Sequence, residues 1–230
     1  MPTLEPKRTQ AETACDQIRT EILDGRLPPG AKLNIKALEE RFALSLGAVR
    51  EALSRLGAEG MVVGEPRRGY RVAPVSRDEL MDLTRARIEM EALCLGQAMR
   101  HGDVEWETRI VAAAHRMERL QSLPSEAEAR STKAWNEAHG EFHEALVSAC
   151  PNQWLLRMRH MLYEQSERYR LLSVPLSTDA RDVRGEHREI MEAALRRDQD
   201  ATFQALERHL LATAQIILRS PLLQEQPPAD

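Results

Sequence analysis

The sequence predicts a mainly α fold in two parts: an N-terminal winged helix-turn-helix with a small β wing, then a C-terminal all-α six-helix bundle. Between residues 35 and 72, a short helix, a tight turn, a second helix and a hairpin bounded by glycine and proline follow one another. Beyond residue 76, helix-breaking residues divide the chain into six segments with a helical pattern. At 230 residues and 42% hydrophobic content, the chain is long enough for one small and one medium globular domain.

The first part opens with an amphipathic helix, which Gly25 and the following prolines terminate. Its apolar face consists of Ala14, Ile18, Ile22 and Leu23. The next helix is predicted over Ile35–Phe42. Ala37, Leu38 and Phe42 have the spacing of a buried face.

The second helix of the motif has the features of a recognition helix. Ser45 can cap it, and its apolar stripe is formed by Val49, Leu53 and Leu56. The opposite face carries Gly47, Arg50, Glu51, Ser54 and Arg55. Small residues near the start of a helix let its backbone approach base edges, and arginine can make paired hydrogen bonds to guanine or hold phosphate.

After Gly60, which can end this helix, the chain has the pattern of a β hairpin. Met61–Val63 and Tyr70–Val72 are predicted as strands around a cationic tip, residues 64–69, that can reach a minor groove. An amphipathic helix with two arginines is usually a solvated surface helix. The ordered combination of helix, turn, helix and wing instead favours DNA binding.

Charge is distributed unevenly between the two parts. The net charge of −4 divides into +2 for residues 1–75 and −6 for the rest. This asymmetry favours a DNA-facing first part, although the charge of +2 is modest. No apolar run approaches the ~20 residues of a membrane span, and the N-terminus has no signal-peptide core, so we expect a cytoplasmic protein with no membrane partner. Three dispersed cysteines are expected to be buried apolar residues.

The second part begins almost directly after the wing, because Ser76 and Glu79 form a capping box. The six helices are predicted over residues 77–100, 104–121, 126–149, 153–172, 179–196 and 200–219. The predicted organisation is a flexible N-terminus at 1–9, a DNA-binding domain at 10–74, an effector and dimerisation domain at 77–219 and a flexible tail at 220–230.

Four histidines lie at positions that could form a metal site. His139 and His143 are four residues apart and project from one helical face, while His187 and His209 lie on later helices. Neutral imidazoles from neighbouring helices of a bundle can bind zinc, nickel or copper. The alternative is that these histidines are buried and hydrogen-bond to carbonyl groups.

Three segments of the first part resemble the amino-terminal domain of GntR-type bacterial regulators. They are residues 25–33 (GRLPPGAKL), 49–53 (VREAL) and 59–62 (EGMV). The residues that this resemblance assigns to DNA contact are Lys36, Ser45, Arg50, Arg55, Arg68 and Gly69, with Gly47 and Ala48 in the turn. Family members commonly have Arg or Thr and then Thr-Pro where this chain has Leu46-Gly47-Ala48, so their base preference does not transfer.

The second part resembles the FCD effector domain of the FadR-like subgroup, through residues 87–91 (RIEME), 141–146 (EFHEAL) and 186–190 (EHREI). Many FCD domains hold a divalent cation with an aspartate and three histidines. His143, His187 and His209 match those histidines, and His139 stands where the aspartate would be. Either the site is all-nitrogen or His139 does not ligate. An all-imidazole set favours zinc or nickel over magnesium, calcium or manganese.

The same resemblance implies a small carboxylate effector and assigns Arg87 to it, because a guanidinium can hold a carboxylate with two hydrogen bonds. The alternative for Arg87 is an exposed helix arginine paired with Glu91. We expect a transcriptional regulator, a repressor, that binds a palindromic double-stranded DNA operator as a homodimer.

Two other function classes explain the sequence less well. A metal-dependent hydrolytic enzyme would need a glutamate directly after the first histidine, but Gly140 follows His139 and Glu141 lies about 200° round the helix. A helical adaptor that does not bind DNA would leave the wing and its arginines unexplained.

Overall fold

A computed structural model describes residues 8–120, 132–176, 181–220 and 223. The chain divides into two compact units, Met1–Val75 and Ser76–Asp230. Helices dominate both units, and the strands of the described residues all belong to the first unit. The predicted mainly α class is confirmed. Within the described ranges, no helix combines the length and the apolar character needed to cross a lipid bilayer.

The first unit is a three-helix motif with a small antiparallel sheet. Its elements are α1 (Gln10–Leu23), β1 (Lys32–Leu33), α2 (Ile35–Phe42), α3 (Leu46–Ala58), β2 (Val62–Glu65) and β3 (Gly69–Val72). The strand order is β1-β3-β2, so β3 is the central strand. It pairs with β2 in the wing hairpin on one side and with β1 on the other. Ile18, Val49 and Leu53 are fully buried at the centre of this unit.

The sheet contains one strand that the sequence pattern did not predict. Lys32 pairs with Arg71 and Leu33 with Tyr70, which makes β1 an edge strand of only two residues. Two residues are too few to show an alternating pattern, so only the pairing identifies the strand. The wing strands are also longer toward the tip than predicted, and three residues, 66–68, separate them.

The buried face of α2 differs from the prediction at one residue. Leu38 is buried and Phe42 packs partly buried against the core, but Ala37 is exposed. Adjacent residues of a helix point about 100° apart, so with Leu38 directed into the core Ala37 faces solvent. The assignment of Ala37 to the buried face was wrong.

The second unit is an all-α bundle with six α-helices in its described residues. They are α4 (Arg77–His101), α5 (Val104–Leu120), α6 (Lys133–Val147), α7 (Gln153–Ser173), α8 (Val183–Leu195) and α9 (Gln199–Leu218), with a 3-10 turn at Val174–Leu176. The Ser76 hydroxyl accepts a hydrogen bond from the Glu79 amide, which starts α4 where the capping signal predicted. The core lies between the helices and includes Trp106, Phe142 and Ile190, each at most 1% exposed.

Two helix starts differ from the prediction. The start predicted at residue 126 lies outside the described residues, and the described helix α6 begins at Lys133 after the cap Thr132. The helix predicted from 179 begins at Val183, because the Asp182 carboxylate accepts a hydrogen bond from the Gly185 amide and caps α8 there. Inclusion of residues 181 and 182 in that helix was wrong.

Two residues assigned to flexible ends are part of the folded units. Thr9 forms a capping box with Glu12 at the start of α1, and Ser220 is 5% exposed with its hydroxyl bound to the Ile217 carbonyl. The prediction of flexibility was wrong for these two residues. Residues 1–7, 221–222 and 224–230 of the predicted flexible ends lie outside the described residues, whereas Arg8, which pairs with Asp16 at 2.8 Å, and Leu223 are described. All three cysteines are free and buried, as predicted.

Candidate functional site

The first candidate site is the exposed face of α3. The Ser45 hydroxyl accepts a hydrogen bond from the Ala48 amide at 3.3 Å and fixes the helix start. Val49, Leu53 and Leu56 are 0% exposed, so the predicted apolar stripe is the buried face. The exposed residues predicted to contact DNA are Lys36, Ser45, Gly47, Arg50, Arg55, Arg68 and Gly69.

Ala48 is the exception among the predicted contacts. Its side chain is only 7% exposed and belongs to the buried side of α3. Its amide already donates to Ser45. Ala48 therefore differs from the other residues predicted to contact DNA, because it lies directly beside Val49 on the side of α3 that packs into the core.

The cations on this face differ in their freedom to bind phosphate or bases. Within the described residues no acidic side chain forms an ion pair with Arg50, whereas Arg55 is paired with Glu51 one turn earlier. Lys36 is 80% exposed and lies 4.0 Å from Glu40. To bind Arg55, a DNA phosphate or base would have to displace Glu51. Binding to Arg50 would need no such displacement.

The wing tip is a tight turn closed by backbone. The Arg68 amide donates to the Glu65 carbonyl at 3.0 Å, and Pro66 precedes Arg67 within this turn. Arg67 and Gly69 have positive φ angles of 65° and 96°. Arg67 thus adopts a conformation that disfavours an L side chain and is an exposed cation that sequence reasoning did not single out. Only the turn geometry distinguishes it from its neighbours.

The second candidate site is a cluster of the four predicted histidines in the bundle. His139 and His143 come from α6, His187 from α8 and His209 from α9. One ring nitrogen from each can be chosen so that all four lie within 4.8 Å of one another, and the residues are 1–4% exposed. The two α6 histidines place their Nε2 atoms 3.2 Å apart. Two ligands of a tetrahedral zinc ion at 2.0–2.1 Å would be about 3.4 Å apart, which is close to this distance.

The rings of this cluster are suited to ligation. Burial lowers the pKa of His139, His143 and His187 well below the usual value, so these rings are neutral near pH 7. Nδ1 of His139, Nδ1 of His143 and Nε2 of His187 are buried without a hydrogen-bond partner. Trp135 stacks on His139 with ring centroids 4.9 Å apart and holds that ring in place. A metal takes one nitrogen from each ring, so ligation through Nε2 would satisfy the unpartnered Nε2 of His187 and would not satisfy Nδ1 of His139 and His143.

His209 is oriented by a carboxylate that the sequence did not single out. Its Nδ1 donates to Glu186 Oε2 at 2.7 Å, so Nε2 is the nitrogen left to ligate. Arg181 donates two hydrogen bonds to the same carboxylate, at 2.8 and 2.7 Å. Burial alone would raise the pKa of Glu186, but the hydrogen bonds from His209 and Arg181 outweigh it and lower that pKa to about 2. The carboxylate is therefore ionised at neutral pH.

Arg87 lies in a small cavity with two of these histidines. The cavity is lined by Leu80, Thr84, Arg87, His139, Ser166, Tyr169, Arg170, His209, Leu210, Thr213 and Ala214. Arg87 is 5% exposed, so the exposure given in the alternative was wrong, but the pairing with Glu91 that it proposed is present. Its Nη1 donates to Ser166 at 2.6 Å, but Nε and Nη2 have no hydrogen-bond partner. The nearest carboxylate oxygen, on Glu91, is 3.6 Å from Nε, beyond a good hydrogen bond.

A second buried arginine, Arg159, links this region to the histidines. It donates to Glu91 at 3.0 Å, to Glu144 at 2.6 Å and to the His143 carbonyl at 2.9 Å. Glu91 thus lies between two buried guanidinium groups, those of Arg87 and Arg159. Helix periodicity placed Glu91 beside Arg87, but nothing in the sequence indicated that α7 supplies a second arginine.

In the part of the chain that the structure describes, the histidine cluster has no catalytic base of the kind a metalloprotease uses. Glu141 is exposed, and its carboxylate binds Arg116 on α5. The carboxylate that does touch the cluster, Glu186, is held by His209 and Arg181. Within the described residues, these contacts leave neither glutamate directed at a metal-bound water.

Two family models match nearly the whole chain. Residues 10–72 match the model for bacterial regulatory proteins of the gntR family, and residues 82–212 match the FCD domain. The chain belongs to the GntR family. It is a transcriptional regulator of that family whose FCD domain follows the winged helix-turn-helix along the chain, as the two sequence resemblances implied.

Similar proteins are also regulators. The chain is 37% identical to the HTH-type transcriptional regulator BphR of Paraburkholderia xenovorans over 94% of its own length and 88% of the relative. It is 35% identical to the HTH-type transcriptional repressor GlaR of Escherichia coli, over 87% of its own length and 92% of GlaR. Because the family and these relatives are transcription regulators and not enzymes, the hydrolytic alternative is not supported.

Solved structures share the fold. Escherichia coli McbR/YncC superimposes with a TM-score of 0.73 at 18% identity, over 93% of this chain and 99% of that one. A GntR regulator from Rhodococcus sp. RHA1 gives 0.71 at 21% identity, over 93% and 100%. These likenesses show that both the winged helix-turn-helix and the helical C-terminal unit are shared with known regulators.

Proposed function

We propose that this regulator binds a palindromic operator as a homodimer, and that a small carboxylate held in the bundle beside a divalent transition metal controls this binding. The observation that carries the proposal is the pair of buried Arg87 nitrogens without partners, in the same cavity as His139 and His209. A buried guanidinium with free donors is stabilised by an anion, and a carboxylate accepts two such hydrogen bonds.

The metal is proposed to bind His139, His143, His187 and His209. The unpartnered Nε2 of His187 and the neutral state of the rings support this set, and the Glu186–Arg181 pair orients His209 as an outer partner of a ligating histidine commonly does. Four nitrogen ligands favour zinc or nickel. When bound, the metal would supply a positive charge that attracts a carboxylate, and Arg87 would bind and orient that carboxylate.

The cavity limits the size of the effector. Its free volume is about 30 Å³, enough for one or two water molecules. The other arginines nearby are already engaged: Arg170 binds Glu167 and Asn136, and Arg181 binds Glu186. A carboxylate with a short chain therefore fits the proposal better than a bulky ligand.

Ligand binding and metal content can be tested on the full chain without a histidine tag. We expect about one equivalent of zinc or nickel per chain after reconstitution, and none held by His143→Ala. The control His160→Ala, at an exposed histidine, should keep the metal. Failure of the unmodified protein to retain either metal would contradict the metal part of the proposal.

The effector is tested by thermal shift against a panel of short mono- and dicarboxylates. At least one should raise the melting temperature of the metal-loaded protein, because a ligand bound only to the folded state stabilises it. Arg87→Ala should lose this shift, whereas Arg85→Ala, which removes an exposed arginine of the same helix, should keep it. Equal shifts in both variants would contradict the role of Arg87.

The homodimer is proposed to form through an exposed apolar stripe on α7. Trp154, Met158 and Met161 are 70%, 47% and 56% exposed and lie at i, i+4 and i+7. Such a stripe is unfavourable in water and is self-complementary across a twofold axis. Trp154→Asp should shift the mass measured by light scattering from dimer to monomer, and Val104→Asp, at another exposed apolar residue, should not. A dimer that persists in Trp154→Asp would exclude this surface.

The direction of regulation is proposed to be repression. The relative GlaR is named a transcriptional repressor, as is a Paenarthrobacter nicotinovorans relative that is 26% identical over 90% of this chain. Expression of a reporter gene placed downstream of an operator that the protein binds should fall when the protein is present. It should rise again when the carboxylate is added. Activation of the reporter would reverse this assignment.

A further inference from the structure

Leu46, the first residue of the recognition helix α3, is an exposed apolar side chain at the end of the helix that would enter DNA. It is 40% exposed, and a Cβ on the adjacent Gly47 would meet no atom within 4 Å other than those of its chain neighbours and the backbone of its own helix. A single exposed leucine is ordinary on a protein surface. The position of Leu46 in the fold distinguishes it from other exposed leucines, because the N-terminal residues of a recognition helix contact base edges.

Leu46 shares its helical face with the unpaired arginine of the same surface. Leu46 and Arg50 are four residues apart, so they project from one face about 6 Å apart along the helix axis. Base pairs follow one another every ~3.4 Å. Two side chains at this spacing would therefore meet bases that are one or two steps apart.

The chemistry of leucine restricts what it can read. It has no hydrogen-bond donor or acceptor, and the apolar group that bases present in the major groove is the C5-methyl of thymine. We propose that Leu46 reads a thymine methyl group one or two base pairs from the base contacted by Arg50. This specificity role rests on the proposed operator binding. Gly47 contributes by leaving no side chain between the helix start and the bases.

The test removes one methyl group from DNA. The full-length protein first selects its operator from random duplexes, and each thymine of a half-site is then replaced in turn by deoxyuridine, which keeps the base pairing. At one position in each half-site we expect binding to weaken by about fourfold, the ratio that corresponds to ~0.8 kcal/mol for one buried carbon group. This arm uses the unmodified protein, so it does not depend on how any variant folds.

The variants assign the methyl contact to a residue. Leu46→Ala should bind more weakly and lose the difference between thymine and deoxyuridine at that position. Val104→Ala, which shortens an exposed apolar residue at the start of α5, should retain the full difference. Arg50→Ala should weaken binding but keep the methyl effect.

Three results have distinct meanings. Specific binding without any sensitive thymine would overturn the role of Leu46 and leave the proposed operator binding intact. A sensitive thymine whose effect persists undiminished in Leu46→Ala would also overturn it, because another residue would then contact the methyl. Selection that returns no preferred sequence would overturn operator recognition itself and this inference with it.

Discussion

Glu91→Gln tests whether the buried arginine pair depends on one carboxylate. Glu91 is 2% exposed and lies between Arg159, at 3.0 Å, and Arg87, at 3.6 Å. The substitution keeps the shape of the side chain but leaves two buried guanidinium groups without their shared negative charge. Glu144 remains 2.6 Å from Arg159, yet its side chain is 59% exposed and replaces little of that charge.

The expected loss follows from removal of one partner of a buried ion pair, which costs about 3–5 kcal/mol. Because Gln can still accept a hydrogen bond from Arg159, we expect the lower end, about 3 kcal/mol. For a domain of this size, that loss lowers the melting temperature by about 6–12 °C. A short carboxylate should stabilise the variant more than the unmodified protein, since Arg87 no longer has an internal carboxylate nearby.

Tryptophan fluorescence during urea unfolding measures this loss. All three tryptophans, Trp106, Trp135 and Trp154, belong to the second unit, so the signal reports the bundle that contains Glu91. Glu89→Gln removes an exposed carboxylate from the same helix and is the matched control. A loss below about 1 kcal/mol, or an equal loss in the control, would refute the reasoning, because surface pairs are worth no more than that.

Four further results are expected from the remaining features. Arg50→Ala should weaken operator binding by about 1–3 kcal/mol at fixed salt. Arg55→Ala should weaken it less, because Arg55 is already paired with Glu51. Unchanged affinity in both variants would contradict the placement of α3 in the DNA groove. Arg68→Ala should weaken binding most on operators with A/T-rich flanks, because the minor groove is narrow there. Equal losses on all flanks would show that the wing binds phosphate without regard to groove width. Chelation should lower the melting temperature of the unmodified protein but not that of His143→Ala. Burial raises the pKa of Cys94 to about 12, so a thiol reagent at pH 8 should label it only after unfolding, and rapid labelling of the native protein would contradict that burial.

Most of the fold could be predicted from local sequence signals, such as helix caps and helical periodicity. Ser45 and Ser76 cap helices at the positions their sequence context indicates, because a cap depends on residues within one helical turn. The buried stripe Val49, Leu53 and Leu56 follows from helical periodicity alone. Where two residues decide an element, as in β1, or where the exact rotation of a short helix matters, as at Ala37, these local signals are insufficient.

The sequence by itself determined which residue types are available to the two sites, and it grouped the four histidines by their helical spacing; three of them also match the family pattern. Only the tertiary structure decided their surroundings. The hydrogen bond from His209 to Glu186 spans 23 residues, and that from Arg159 to Glu91 spans 68. Such contacts depend on how separate helices pack and rotate against one another, which residues adjacent in sequence do not specify. For the same physical reason, the two free nitrogens of Arg87 became visible only once its neighbours were in place.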